Sequence, residues 1–151
     1  MTLSAEAGLG KSAALQAFLS GVDDPIVVSA RGRALTMAQP FGVLGQLADA
    51  CLVHERFDTD GPECVAAQRV RELLDLPNAA ASSAEERWQE LFEAGMAMLA
   101  SLRDQPVVVV VEDLHWTDSS TEELIERYAK KIGQEPNLLI TTTRPDPRLG
   151  T

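Results

Sequence analysis

Ala5-Glu6-Ala7-Gly8-Leu9-Gly10-Lys11-Ser12 follows the spacing A/G-x-x-x-x-G-K-S/T, directly after Met1-Thr2-Leu3-Ser4. The spacing predicts a loop whose successive backbone N–H groups curl around the β- and γ-phosphates of a nucleotide. Glycines are needed there because a Cβ would block the approach. In this reading Ala7, Gly8, Leu9 and Gly10 line the cradle and Lys11 places a point charge on the same phosphates. The Ser12 hydroxyl ligates the accompanying Mg²⁺. A helix starting at the lysine adds its positive end to the site.

The second element is Val107-Val108-Val109-Val110-Val111-Glu112-Asp113. Five consecutive β-branched residues predict a strand buried on both faces, as in a parallel sheet covered by helices. The two acids fall at its carboxyl end, where open α/β sheets place their ligands. One carboxylate there can hold Mg²⁺ and the next can polarise an attacking water. By order along the strand, Glu112 takes the metal role and Asp113 the base role, and the pair is open to exchange. Two acids ending a strand in solvent is the plainer account, and the upstream loop weighs against it.

Outward from these stretches, strand and helix alternate, which predicts a parallel sheet with helices on its faces. A helix is expected from Lys11 to about Leu19, and a short strand over Pro25–Ser29. Arg31-Gly32-Arg33 then has two readings, an approach to a ligand or partner and, as the plainer account, an exposed basic turn. Helices follow over Phe41–Val53, with apolar Val43, Leu44, Leu47, Ala48 and Cys51, and over Glu63–Leu74. Residues 77–83 form a small-residue loop. Ser83, with Glu86 three positions on, caps a helix whose apolar face carries Trp88, Leu91, Phe92, Met96, Leu99 and Leu102. After the valine strand, Asp118-Ser119-Ser120 caps a helix to about Ile132, ended by Gly133 and Pro136. Asn137–Thr143 is the last strand.

The chain of 151 residues is one domain in length and 45% hydrophobic, enough for a sizeable core. No run approaches the roughly 18 apolar residues that cross a bilayer, and no basic leader precedes the loop, so a cytoplasmic setting without membrane contact is expected. The net charge of −10 argues against this segment gripping a nucleic-acid backbone. Cys51 and Cys64 lack metal-ligand spacing and are expected as buried free thiols. His54 and His115 are isolated, and a surface or packing role is expected for each.

Glu6–Ser12, Pro40-Phe41-Gly42, Glu112-Asp113-Leu114-His115-Trp116-Thr117-Asp118 and Thr142-Thr143-Arg144-Pro145 stand in this order. The set resembles the nucleotide-binding domain of the signal-transduction ATPases called STAND proteins. It is most similar to the ATP-binding module of large bacterial LuxR-type transcriptional regulators and related AAA-like ATPases. The likeness covers nearly the whole chain, and E-D-L-H-W-x-D is its most family-specific part. It identifies the glycine loop as a Walker A element and the acids as a Walker B element. It also implies a three-layer α/β P-loop NTPase fold with a mostly parallel sheet, order 5-1-4-3-2.

In such proteins the strand between loop and acids carries a polar residue that senses the γ-phosphate. Here that is Arg144, or one of the preceding threonines, with an ion pair to Asp146 or the acids as the plainer role for Arg144. Trp116 and Asp118 are expected to brace the loop after the acids. The resemblance further implies ATP and Mg²⁺ as ligands and self-association when ATP is bound.

Three departures qualify it. Ala5 stands for the usual glycine, and Glu112 for the usual aspartate. Only Met1–Ser4 precede the loop, and the sequence stops before a fifth strand, so residues 1–151 are expected to be part of a nucleotide-binding domain with a stub for strand 1. Two functions follow: an ATP-hydrolysing regulatory switch, or a nucleotide- or partner-binding module that no longer hydrolyses. A small-molecule kinase shares the loop but ranks last, because no acceptor site is legible.

Overall fold

The computed structural model describes residues 2–4, 10–37, 39–76, 83–102, 105–132 and 137–144. The strands are β1 (Thr2–Ser4), β2 (Ile26–Arg31), β3 (Val107–Glu112) and β4 (Leu138–Thr143). The helices are α1 (Lys11–Ser20), α2 (Ala34–Met37), α3 (Gly42–Val53), α4 (Pro62–Asp75), α5 (Ala84–Ser101) and α6 (Ser119–Lys131), with a 3₁₀ turn over Leu114–Trp116. The strands form one sheet in the order β1-β4-β3-β2, and every neighbouring pair is parallel. This is the mixed α/β, P-loop NTPase-like arrangement expected, with β4 between β1 and β3.

The alternation of side chains along each strand divides the interior in two. Val107, Val109 and Val111 join Ile26, Val28, Ala30 and Leu139 in a large core with α3, α5 and α6. Val108 and Val110 point the other way, to Ile140 and Leu15 of α1. All five valines are buried, so β3 is the central strand its composition predicts. Each carboxyl end emerges on the same rim of the sheet because all four strands run one way.

The helix ends follow side-chain chemistry. Ser83 Oγ accepts from the Glu86 N–H at 3.1 Å, and Asp118 Oδ2 accepts from the Thr121 N–H at 3.1 Å, each satisfying a donor that the first turn leaves open. Asn137 is not the first residue of β4 but a brace: its Oδ1 accepts from the Val107 N–H at 3.1 Å. The α5 face carries the expected residues, with Leu91, Phe92, Leu99 and Leu102 buried and Trp88 packed against the core, and it extends to a methionine the sequence reading left out. Met98 is fully buried and Met96 only packs against the core. α2 and the 3₁₀ turn were not legible in the sequence. Gly133, Pro136 and most of the 77–83 loop lie outside the described residues.

β1 pairs over three residues, Thr2 with Thr141, Leu3 with Thr142 and Ser4 with Thr143. Among the described residues no helix is long and apolar enough to cross a membrane.

Cys51 and Cys64 are free and buried, and the Cys64 thiol lies 3.7 Å from the Cys51 carbonyl oxygen, which accepts from it. Burial, then the neighbouring Cys64 and Glu63, pushes the Cys51 thiol from 9.0 up to about 12. Burial likewise pushes Cys64 up. A folded-state value above the unfolded one means the unfolded chain releases its proton first as pH rises. The stabilisation is therefore complete below the ordinary thiol value and is lost between there and about 12. The unfolding free energy from urea titration is expected to fall as pH rises above about 9, by at most ~1.4 kcal/mol per pH unit from Cys51. The fall should be shallower in Cys51→Ala, and equal slopes would count against the assignment.

Candidate functional site

The rim where β1, β4 and β3 end gathers those sequence candidates that fall among the described residues. Ser4 is level with Thr143, and Val111 with Thr141, so the ends of β1 and β3 stand two strand spacings apart, roughly 10 Å. α1 reaches this rim with its amino end, since its carboxyl end leads through Gly21–Pro25 to the start of β2 at the opposite rim. Gly10 caps α1 in the left-handed region, φ 83° and ψ 20°, a conformation that favours glycine. Its carbonyl accepts the first helical bond, from Ala14 at 2.9 Å. Lys11 is the first residue of α1, and Ser12 is exposed in its first turn. Ala7, Gly8 and Leu9 lie outside the described residues.

Glu112 ends β3, half-buried, and its carbonyl accepts from the Gly32 N–H at 2.8 Å. Asp113 then turns the chain with φ 54° and ψ 52°, a region aspartate tolerates better than most residues. Two backbone bonds hold it there. Its N–H donates to Thr142 Oγ1 at 2.9 Å, and its carbonyl accepts from the Trp116 N–H at 2.8 Å. Arg144 lies just beyond β4, exposed, and its N–H donates to His115 Nδ1 at 3.3 Å. The structure therefore brings Glu112, Asp113 and Arg144 together around Thr142 and His115.

Arg31 is the residue that sequence reasoning misplaced. Its Nε donates to Asp113 Oδ2 at 2.9 Å, so Arg31-Gly32-Arg33 is not simply an exposed basic turn. The cause is register: β2 sets Arg31 beside Glu112. The backbone of Arg31 is itself clamped by Gln46 of α3. Its N–H donates to Gln46 Oε1 at 3.0 Å, and Gln46 Nε2 donates to its carbonyl at 2.9 Å. The hydrogen bond to Asp113, then the charge of Glu112, holds the guanidinium protonated above its already high ordinary range. A half-exposed pair of this kind adds only ~0.2–1 kcal/mol to stability; its effect is orientation, drawing Asp113 Oδ2 toward the β2 side.

The family model described as AAA ATPase domain matches residues 1–141. The chain belongs to that family. A stretch of 49 residues is also 45% identical to an uncharacterized protein of Rhizobium meliloti (strain 1021), covering 32% of this chain and 5% of that protein. The chain thus spans a small part of the length of that relative. Membership of the AAA ATPase domain family carries ATP binding and hydrolysis as the expected activity, with nucleotide and Mg²⁺ as ligands.

The donor set of this AAA ATPase domain fits those ligands. Magnesium takes hard oxygen donors, keeps several waters, and needs only one or two carboxylates beside substrate phosphates. Among the described residues no group of three or more His, Cys, Asp or Glu could form an all-protein cage, while Glu112 and Asp113 offer carboxylates at one strand end. The left-handed cap at Gly10 and the helix that follows suit an anion at the α1 amino end.

Gly32 gives a direct test of the packing under the acid turn. It is buried, and a Cβ there would collide with the carbonyl oxygen of Asp113 and press on Trp116. The obstacle is backbone, which cannot swing aside. Gly32→Ala is expected to destabilise the domain by ~1–3 kcal/mol. Urea unfolding checks this, and an unchanged midpoint would show that the turn yields freely.

Proposed function

We propose that this AAA ATPase domain is the nucleotide switch of a bacterial signalling or transcriptional regulator of the LuxR-type STAND class, acting in the cytoplasm. Residues 1–151 form part of its nucleotide-binding domain. The observation that carries the reading is the acid turn bound to β4 through Asp113 and Thr142, on the rim where β1 ends and α1 begins.

In this reading the amides of Ala7, Gly8, Leu9 and Gly10 and the charge of Lys11 hold the phosphates of ATP. Ser12 and Glu112 hold Mg²⁺, which when bound neutralises charge on phosphate oxygens. With Oδ2 given to Arg31, Asp113 would accept the proton of the attacking water at Oδ1. Arg144 pairs with the γ-phosphate through its planar fork. Presence or loss of that group then orders or releases the rim segments, with self-association in the ATP-bound state. The net charge of −10 leaves direct nucleic-acid contact to other segments of the regulator.

The Arg31–Asp113 pair favours a second reading, in which nucleotide is held without hydrolysis because the base is already engaged. Binding of a fluorescent ATP analogue measured alongside phosphate release separates the two. Magnesium-dependent binding with release above the protein-free rate is the expected result. Binding with no release supports the second reading, and no binding removes both.

A further inference from the structure

His115 extends the cross-link between the acid turn and β4 past the point where the sheet stops. The β3–β4 register ends at the Val111–Thr141 pair and the β1–β4 register at Ser4–Thr143. Two hydrogen bonds continue the connection in opposite senses. The Asp113 N–H donates from the turn to Thr142 Oγ1 at 2.9 Å, and the Arg144 N–H donates back to His115 Nδ1 at 3.3 Å. A neutral imidazole that accepts at Nδ1 carries its proton on Nε2, so one tautomer fits this contact. The ring also packs against Trp116, with centroids 5.5 Å apart. Since His115 follows Asp113 by two residues, the segment that aims the acid also fixes the main chain of Arg144.

We propose that His115 is a positioning residue: by accepting from the Arg144 N–H it holds the Arg144 backbone in register with Asp113, so that the guanidinium meets the terminal phosphate. This rests on the nucleotide reading above, and assigns His115 a task within that site instead of a surface or packing role. The physical requirement is an acceptor two bonds from Cβ on a short side chain. Asparagine places its Oδ1 at nearly the position of Nδ1, phenylalanine keeps ring volume without an acceptor, and glutamine carries its acceptor one carbon too far.

The test is the ratio of ATP to ADP affinity, measured by displacement of a fluorescent nucleotide analogue in the presence of Mg²⁺. His115→Phe is expected to lower the preference for ATP roughly fivefold, the scale of one hydrogen bond, while ADP affinity changes little. His115→Asn should retain the parent ratio, and His115→Phe should add nothing in an Arg144→Ala background. Should the phenylalanine variant not fold, His115→Gln replaces it, with the ratio expected to fall for glutamine and hold for asparagine. An unchanged ratio in His115→Phe, equal loss in the asparagine variant, or a persistent effect without Arg144 overturns the proposal. Those outcomes leave nucleotide binding by the parent chain intact. A parent chain that binds neither nucleotide instead overturns the underlying reading, and this inference with it.

Discussion

The Asp113→Asn chain is expected to bind a fluorescent ATP analogue as the parent does and to release phosphate roughly 10²–10⁴ times more slowly. That range is what a positioned general base contributes. The substitution isolates charge from shape. Asparagine is nearly isosteric and tolerates the left-handed backbone at φ 54° about as well as aspartate. The N–H bond to Thr142 Oγ1 and the carbonyl bond from Trp116 involve main-chain atoms of residue 113 and survive. The amide oxygen can still accept from Arg31 Nε in place of Oδ2. What disappears is the capacity to take a proton from water. Hydrolysis at the parent rate would move the base role to Glu112, and Glu112→Gln would then show the larger loss.

The strand β3 and the cap residues Ser83 and Asp118 were legible because each is a local signal. Five branched residues followed by acids need only their own neighbours to be understood, as does an oxygen-bearing side chain three residues before an open N–H. The apolar face of α5 was legible too, Met96 included, but Gly95 carries no apolar signal. Yet Gly95 lies on the buried line Leu91, Gly95, Met98, Leu99 and Leu102, which is the spacing of a helix face. α2 spans four residues, too few to show a period.

At the site, the contacts that escaped sequence reasoning are those made by topology. Arg31 and Asp113 are far apart in the chain and meet because β2 and β3 pair in one register. Gln46 reaches the Arg31 backbone only once α3 has packed on β2. Nothing in the spacing of these residues announces a contact. The resemblance supplied the strand order, in which the strand carrying Thr142 and leading into Arg144 lies between the loop and the acids. It supplied no role for Arg31, Gln46 or His115.

Replacing Lys11 by Ala is expected to weaken binding of the same analogue by roughly 100-fold or more while leaving the thermal unfolding midpoint in place. Charge-assisted hydrogen bonds contribute ~1.5–3 kcal/mol each, and 1.4 kcal/mol is about a factor of ten in affinity. Losing the point charge of the loop removes two such bonds, to the β- and γ-phosphates, and with them two decades or more of affinity. The fold has little reason to respond. Residue 11 opens α1, alanine is the strongest helix former, and α1 is anchored to the sheet through Leu15 packed with Val108, Val110 and Ile140. The left-handed cap at Gly10 precedes the substituted residue and is untouched. A variant that binds as tightly as the parent would mean that the phosphates do not lie at the α1 amino end. The acid turn at Glu112 and Asp113 would then be a rim feature without a nucleotide to serve. Loss of binding together with a fallen midpoint would point to a different role for residue 11, in holding α1 rather than ligand, and the unfolding measurement distinguishes that outcome from the one expected.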